Sequence, residues 1–275
     1  MTTLSELMRN GVIRDDTFQV DVGEDWMQGR SVFGGLQAAV AVRAMRTLAP
    51  ESPMRSLQMT FVAPVAQHMR ARARVLRTGK SVTHVEARLE SDAESQAVAI
   101  GVFGARRESI VRRDLPTASP AAATETASAE RPAPKPARAP VKLPYVPGVV
   151  PAFMQQFDVS LLDGALPFSG KRVQRVVYEL ALRDHGTASE AHLLAIADFV
   201  PPVALSWMPT VVPGSSLTWM LEILDDDFIT QPLSGWRIDA EMVAARDGYT
   251  SQSTTIYAPN GNAIALSRQS MVVFA

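Results

Sequence analysis

The sequence predicts an α+β fold: two fused units, each a long helix wrapped by a curved antiparallel sheet. Three observations lead there. The same order of signals runs twice along the chain, with "RTGKSVTHVEARL…AVAIGVFG" in the first half beside "RDGYTSQSTTIYA…SRQSMVVFA" in the second, an internal duplication at long period. Each half holds one apolar helical segment, and the first, "LQAAVAVRAM", is apolar on most of its circumference, which suits a helix enclosed by a sheet. Each helical segment is followed by runs that alternate apolar and polar residues between turn signals, as antiparallel strands do. One such unit leaves an open sheet edge, and two units side by side can join edges into one continuous sheet.

In the first half, "TFQVDV" (Thr17–Val22) alternates as a strand. "SVFGGLQAAVAVRAMRTLAP" gives a Gly-Gly entry, a helix and a stop at Pro50. "SLQMTFVAPV" (Ser56–Val65) is a strand, and three more follow, turned at "RTGK" and "SDAES". In the second half, "RVVYELALR" (Arg175–Arg183) is a strand. "TASEAHLLAIADFVPPVALSW" is helical, opened by a T-x-x-E capping box of Thr187 and Glu190. "SSLTWMLEIL" (Ser215–Leu224) is a strand, and three strands follow with turns at "RDGY" and "APNGN".

Between the halves the composition changes. From about Leu115 to Pro151 the chain is Ala/Pro-rich and poor in large apolar residues, so it cannot offset its ordering entropy by burial. The expected division is a first unit over 1–112, a linker over 113–152, partly extended, and a second unit over 153–275. Net charge is -1, so no overall field favours nucleic acid or an anionic membrane. The chain has no cysteine, which excludes disulfides, thiolate metal sites and a cysteine nucleophile. The four histidines, His68, His84, His185 and His192, show no metal-like spacing; they are read as surface or structural residues, and no metal or cofactor is expected. No apolar run reaches the roughly 18–20 residues that span a bilayer, and the N-terminus lacks an apolar signal core. The expectation is a cytoplasmic protein without a nucleic-acid or membrane partner.

The motifs carry a resemblance. "VFGGLQAAVAVRAM", "LQMTFVAPV" and "LRTGKSVTHVEARL" resemble the first half of the acyl-CoA thioesterase II family, and "HLLAIADFVPPVAL" resembles that family's second helix with its Asp-Phe pair. The resemblance implies a double hotdog fold and an acyl-CoA or related thioester as substrate. It also implies three catalytic side chains in the second unit: an aspartate, a threonine or serine, and a glutamine. They fall on Asp198 in "AIADF", Thr218 just after "PGSSL", and Gln269 in "LSRQSMVV". After the threonine the family often has a polar, histidine-containing stretch, where this chain has "WMLEIL". Folds of this kind often pair again, so a homodimer or higher homo-oligomer is expected.

The chemistry suits these residue types. A carboxylate among Leu194, Ile196, Ala197 and Phe199 is a better base than one in water, because desolvation raises its pKa. Hydroxyl and amide groups both donate and accept, so Thr218 and Gln269 can fix a water against Asp198 for direct attack, without an acyl-enzyme. Gly34 and Gly35 stand at the first helix entrance, where free N–H groups can meet a developing oxyanion. Each residue also has a structural reading: Asp198 as a cap or an arginine's partner, Thr218 and Gln269 as strand residues, the glycines as a packing device. The alternating arginines of "MRARARVLR" read first as a solvated face, and otherwise as a contact for coenzyme A phosphates. Two further functions fit the same fold: a non-catalytic acyl-thioester-binding protein, or an enoyl hydratase or dehydratase. No histidine follows Asp198 at the spacing the last would need.

Overall fold

The computed structural model describes residues 1–91, 94–118 and 139–274. Three α-helices occur among them: α1 (Leu4–Asn10), α2 (Gly34–Met45) and α3 (Glu190–Ala197). The strands of the first half are β1 (Val12–Arg14), β2 (Thr17–Asp21), the short pair β3 (Met27–Gln28) and β4 (Ser31–Val32), β5 (Met54–Phe61), β6 (His68–Thr78), β7 (Val82–Ser91) and β8 (Glu94–Gly104). The second half contributes β9 (Val141–Leu143), β10 (Phe157–Asp163), β11 (Arg175–Leu182), β12 (Gly214–Ile223), β13 (Ser234–Arg246), β14 (Tyr249–Tyr257) and β15 (Ala263–Val273).

Thirteen of these strands form one sheet in the order β1-β2-β6-β7-β8-β5-β12-β15-β14-β13-β11-β10-β9. The expected edge-to-edge junction is the antiparallel pairing of β5 with β12, from Thr60↔Thr218 to Ser56↔Glu222. The two units therefore share one hydrogen-bonded ladder, and neither leaves an open edge at the seam. Helix α2 lies against β2, β6, β7 and β8 and, apart from Arg43, is buried along its whole length. That matches a helix with no polar face.

The two helices meet side by side in opposite directions. A Cβ at Gly35 would lie 2.9 Å from the Cα of Ala195, so only glycine permits this approach. At the far end, Arg46, the C-cap of α2, donates to Glu190, the first residue of α3. At the near end, Asp198, the C-cap of α3, touches Gly34, the first residue of α2. The far end also opens on a cavity of about 310 Å³ lined by Arg46, Met54, Ser189, Glu190, Ile223 and Phe228.

Several local features depart from the sequence reading. The helical segment of the second unit is short and starts at Glu190, with Ser189 as N-cap and His192 completing the capping box, so Thr187 and Glu190 do not form one. Thr187 instead bridges to Pro232. Helix α1, capped by Thr3, buries Leu4 and Leu7. Strand β10 precedes the first strand expected in the second half. Within the Ala/Pro-rich segment, 119–138 lie outside the described residues, but Val141–Leu143 form an edge strand on β10. Among the described residues no helix is long and apolar enough to cross a membrane.

Candidate active site

Asp198 sits where α3 ends, ahead of Pro201 and Pro202, which cannot continue a helix. Its neighbour Phe199 is buried among Phe153, Phe157 and Tyr178, with ring centroids 5.0–6.3 Å apart. Phe33, the N-cap of α2, stacks on Phe153 at 4.1 Å. One aromatic cluster thus fixes both the residue after Asp198 and the residue before Gly34.

The carboxylate faces the entrance of α2. Phe33 makes no side-chain cap, and the N–H of Gly35 donates to Asp198 instead, so the second unit's acid caps the first unit's helix. A Cβ at Gly34 would lie 2.6 Å from Oδ2 of Asp198 and 3.2 Å from the Phe61 ring, which leaves no room for a side chain. Gln37, one turn on, pins this entrance by donating to the Val32 carbonyl at 2.6 Å and to Ser31 Oγ at 3.1 Å. From β15, Gln269 donates through Nε2 to Asp198 Oδ1 at 2.5 Å.

Asp198 is half-buried and densely surrounded. Its pKa is pushed up to about 7; desolvation is the dominant cause, and the hydrogen bonds from Gln269 and Gly35 work against it. The helix dipole at the α2 entrance favours the anion as well. The result is a carboxyl that changes charge near neutrality while held by two donors.

Asp198, Gln269, Gly34 and Gly35 are brought together; Thr218 is not. Along β12, Trp219, Leu221 and Ile223 are buried, while Thr218 is exposed and pairs with Ser270 and Thr60 on the outer face of the sheet. Between Ser216 and Thr218 the ladder with β15 shifts register by one residue. This bulge puts half-buried Ser216 opposite Met271, which is buried on the same inner face as Gln269. On β12 the hydroxyl on the site's face is therefore that of Ser216, and sequence reading misses it because alternation counted back from Trp219 gives it the other face. The amide of Gly35 faces the same carboxylate and favours its charged form.

Several of the remaining candidates have structural partners. His192 is buried between Asp184 (3.0 Å) and Ser189 (2.8 Å). His68 pairs with Asp21 on the surface. Arg74 and Arg88 share Glu86 and hold its carboxyl below the usual range. The one carboxylate cluster with metal-like spacing among the described residues, Asp225–Asp227, contacts Arg106 and follows the end of β12 remote from Ser216.

A buried helix in a curved sheet, duplicated and joined along one ladder, defines the double hotdog class, and solved structures agree. A conserved hot dog fold protein of unknown function from Alicyclobacillus acidocaldarius superposes with a TM-score of 0.81 at 21% identity, over 100% of this chain and 99% of that one. The tesB protein of Mycobacterium avium subs paratuberculosis gives 0.74 at 12% identity over 99% and 98%. The acyl-CoA thioesterase II TesB2 of Mycobacterium marinum gives 0.69 at 14% over 98% of both chains. The acyl-CoA thioesterase N-terminal domain matches residues 22–104 and the acyl-CoA thioesterase C-terminal domain matches residues 124–273. The chain belongs to the acyl-CoA thioesterase family. No curated protein matches it in sequence.

Proposed function

We propose that the chain hydrolyses acyl-CoA thioesters by direct attack of water, with Asp198 as the general base. The observation that carries this reading is a near-neutral carboxyl held by Gln269 at 2.5 Å and seated on the α2 entrance. The ionised carboxylate takes a proton from water as the water oxygen attacks the thioester carbonyl. The tetrahedral intermediate then collapses with cleavage of the C–S bond, the departing coenzyme A thiolate takes that proton back from Asp198, and the acid product leaves. Gln269 orients the carboxylate, and Ser216 takes the hydroxyl role first given to Thr218. Gly35 holds the base, and the N–H of Gly34 is the donor assigned to the developing oxyanion. Glycine at 34 admits the thioester to the backbone, since a methyl there would occupy the space beside Oδ2.

The test is release of free thiol from a panel of acyl-CoAs. Asp198→Asn should abolish it, Ser216→Ala should lower kcat about tenfold or more, and Thr218→Val should leave it within about twofold. Full rate in Asp198→Asn removes the assigned base. Tight retention of one acyl-CoA with no release by the wild type would favour the non-catalytic binding function instead.

A further inference from the structure

Gln252 lies on β14 directly opposite Gln269 of β15, and both are buried on the inner face. Its Oε1 accepts the backbone N–H of Val203 at 2.8 Å. Pro201 and Pro202 have no N–H, so Val203 is the first residue after Val200 that can tie this turn to the sheet by a backbone donor. The segment is thus held at two points by neighbouring strands: Gln269 takes the carboxylate of Asp198, and Gln252 takes the amide five residues on.

We propose that Gln252 is a positioning residue, which anchors the Pro201–Pro202–Val203 turn to β14 and so fixes the Asp198 carboxylate against Gln269 and the α2 entrance. The proposal rests on the reading of Asp198 as the base. Its geometric ground is leverage. Helix α3 ends at Ala197, and from Asp198 to Pro202 the chain makes no strand or helix that would hold it. Phe199, packed among aromatic rings, secures one side of the carboxylate, and Gln252 secures the other. Among the described residues no charged group pairs with Asp198, whose shown neighbours are the Gln269 amide, the Gly35 N–H and Gly34. The carboxyl's titration therefore reports its hydrogen bonds and burial rather than a neighbouring charge.

The bond can be removed from either side. Gln252→Met deletes the acceptor at similar volume. Val203→Pro deletes the donor at the first position of a short 3₁₀ helix, Val203–Trp207, where proline is tolerated; Pro202 before it already has the extended ψ of 122° that a following proline requires. The readouts are kcat and KM, together with the Asp198 side-chain carbon shift followed by NMR against pH. Each variant should lower kcat about tenfold with KM within about twofold, as misplacement of a reacting group does. Each should raise the Asp198 midpoint, because a slackened carboxylate loses donor bonds that favour its charged form. The double variant should be no worse than either single one, since both remove the same bond. Variants that melt earlier but keep the wild-type midpoint and kcat overturn the proposal. Because the midpoint is read without turnover, a shifted midpoint in a protein with no thiol release upholds the link from Gln252 to Asp198 and sinks the hydrolytic reading instead.

Discussion

Asp198 is costly to the fold in proportion to its poise. Its folded pKa of about 7 lies above the ordinary 3.8, so between these values the folded state keeps a proton that the unfolded state has lost. Stability therefore falls as pH rises through that window and levels off above it. At about 1.4 kcal/mol per unit, the cost at pH 8 is on the order of a few kcal/mol. Asp198→Asn should melt later than wild type at pH 8 and nearly with it at pH 4, by thermal scans at both; the opposite ordering would show that the charge stabilises the fold. Activity runs the other way: kcat/KM should rise with pH to a plateau above a midpoint near 7, because only the ionised carboxylate accepts a proton. Gly34→Ala puts a methyl 2.6 Å from Oδ2 and should lower kcat/KM by about a hundredfold, while circular dichroism stays that of the wild type.

At the scale of elements, the site is two helix ends and two strands that share no sequence neighbourhood. The resemblance identified Asp198 and Gln269, and the structure brings them together. Thr218 lies on the opposite face, because residue identity and approximate position do not specify a face; a single bulge between Ser216 and Thr218 decides it. The role of Gln252 was equally hidden, since "YTSQSTTIY" alternates polar with polar and gives no inward face to read. The apolar circumference of α2 was legible, and so was its burial. The edge strand Val141–Leu143 was not, because a three-residue strand in a Pro-rich stretch owes its conformation to β10 rather than to its own pattern. The contact between α2 and α3 makes a prediction of its own. Gly35→Ala brings a methyl within 2.9 Å of Ala195 and should destabilise by roughly 1–3 kcal/mol in denaturant unfolding, as overpacking does. An unchanged midpoint would mean that the helices part without cost.

For the whole molecule, the duplication seen in the sequence becomes a single object. The β5–β12 ladder joins the two units by hydrogen bonds, and the candidate site takes its helix entrance from one unit and its carboxylate from the other. Unfolding of either unit would strip the other of a sheet neighbour and bare a strand edge. Calorimetry should therefore show one transition with matching calorimetric and van't Hoff enthalpies; two resolved transitions would show that the seam is weak.

Arg46 and Asp198 hold the same post in their units, each just past the end of its helix and against the first residue of the other. At one post an acid meets a glycine with no room between them for a side chain; at the other an arginine meets Glu190 in an ion pair that lines the cavity at that end. The doubled scaffold thus has two matching posts, and only one of them holds a carboxylate without a cationic partner. A chain built this way counts to one. Titration with a non-hydrolysable acyl-CoA should saturate at one equivalent per chain, and a second equivalent bound with similar affinity would mean that the post with the ion pair binds as well.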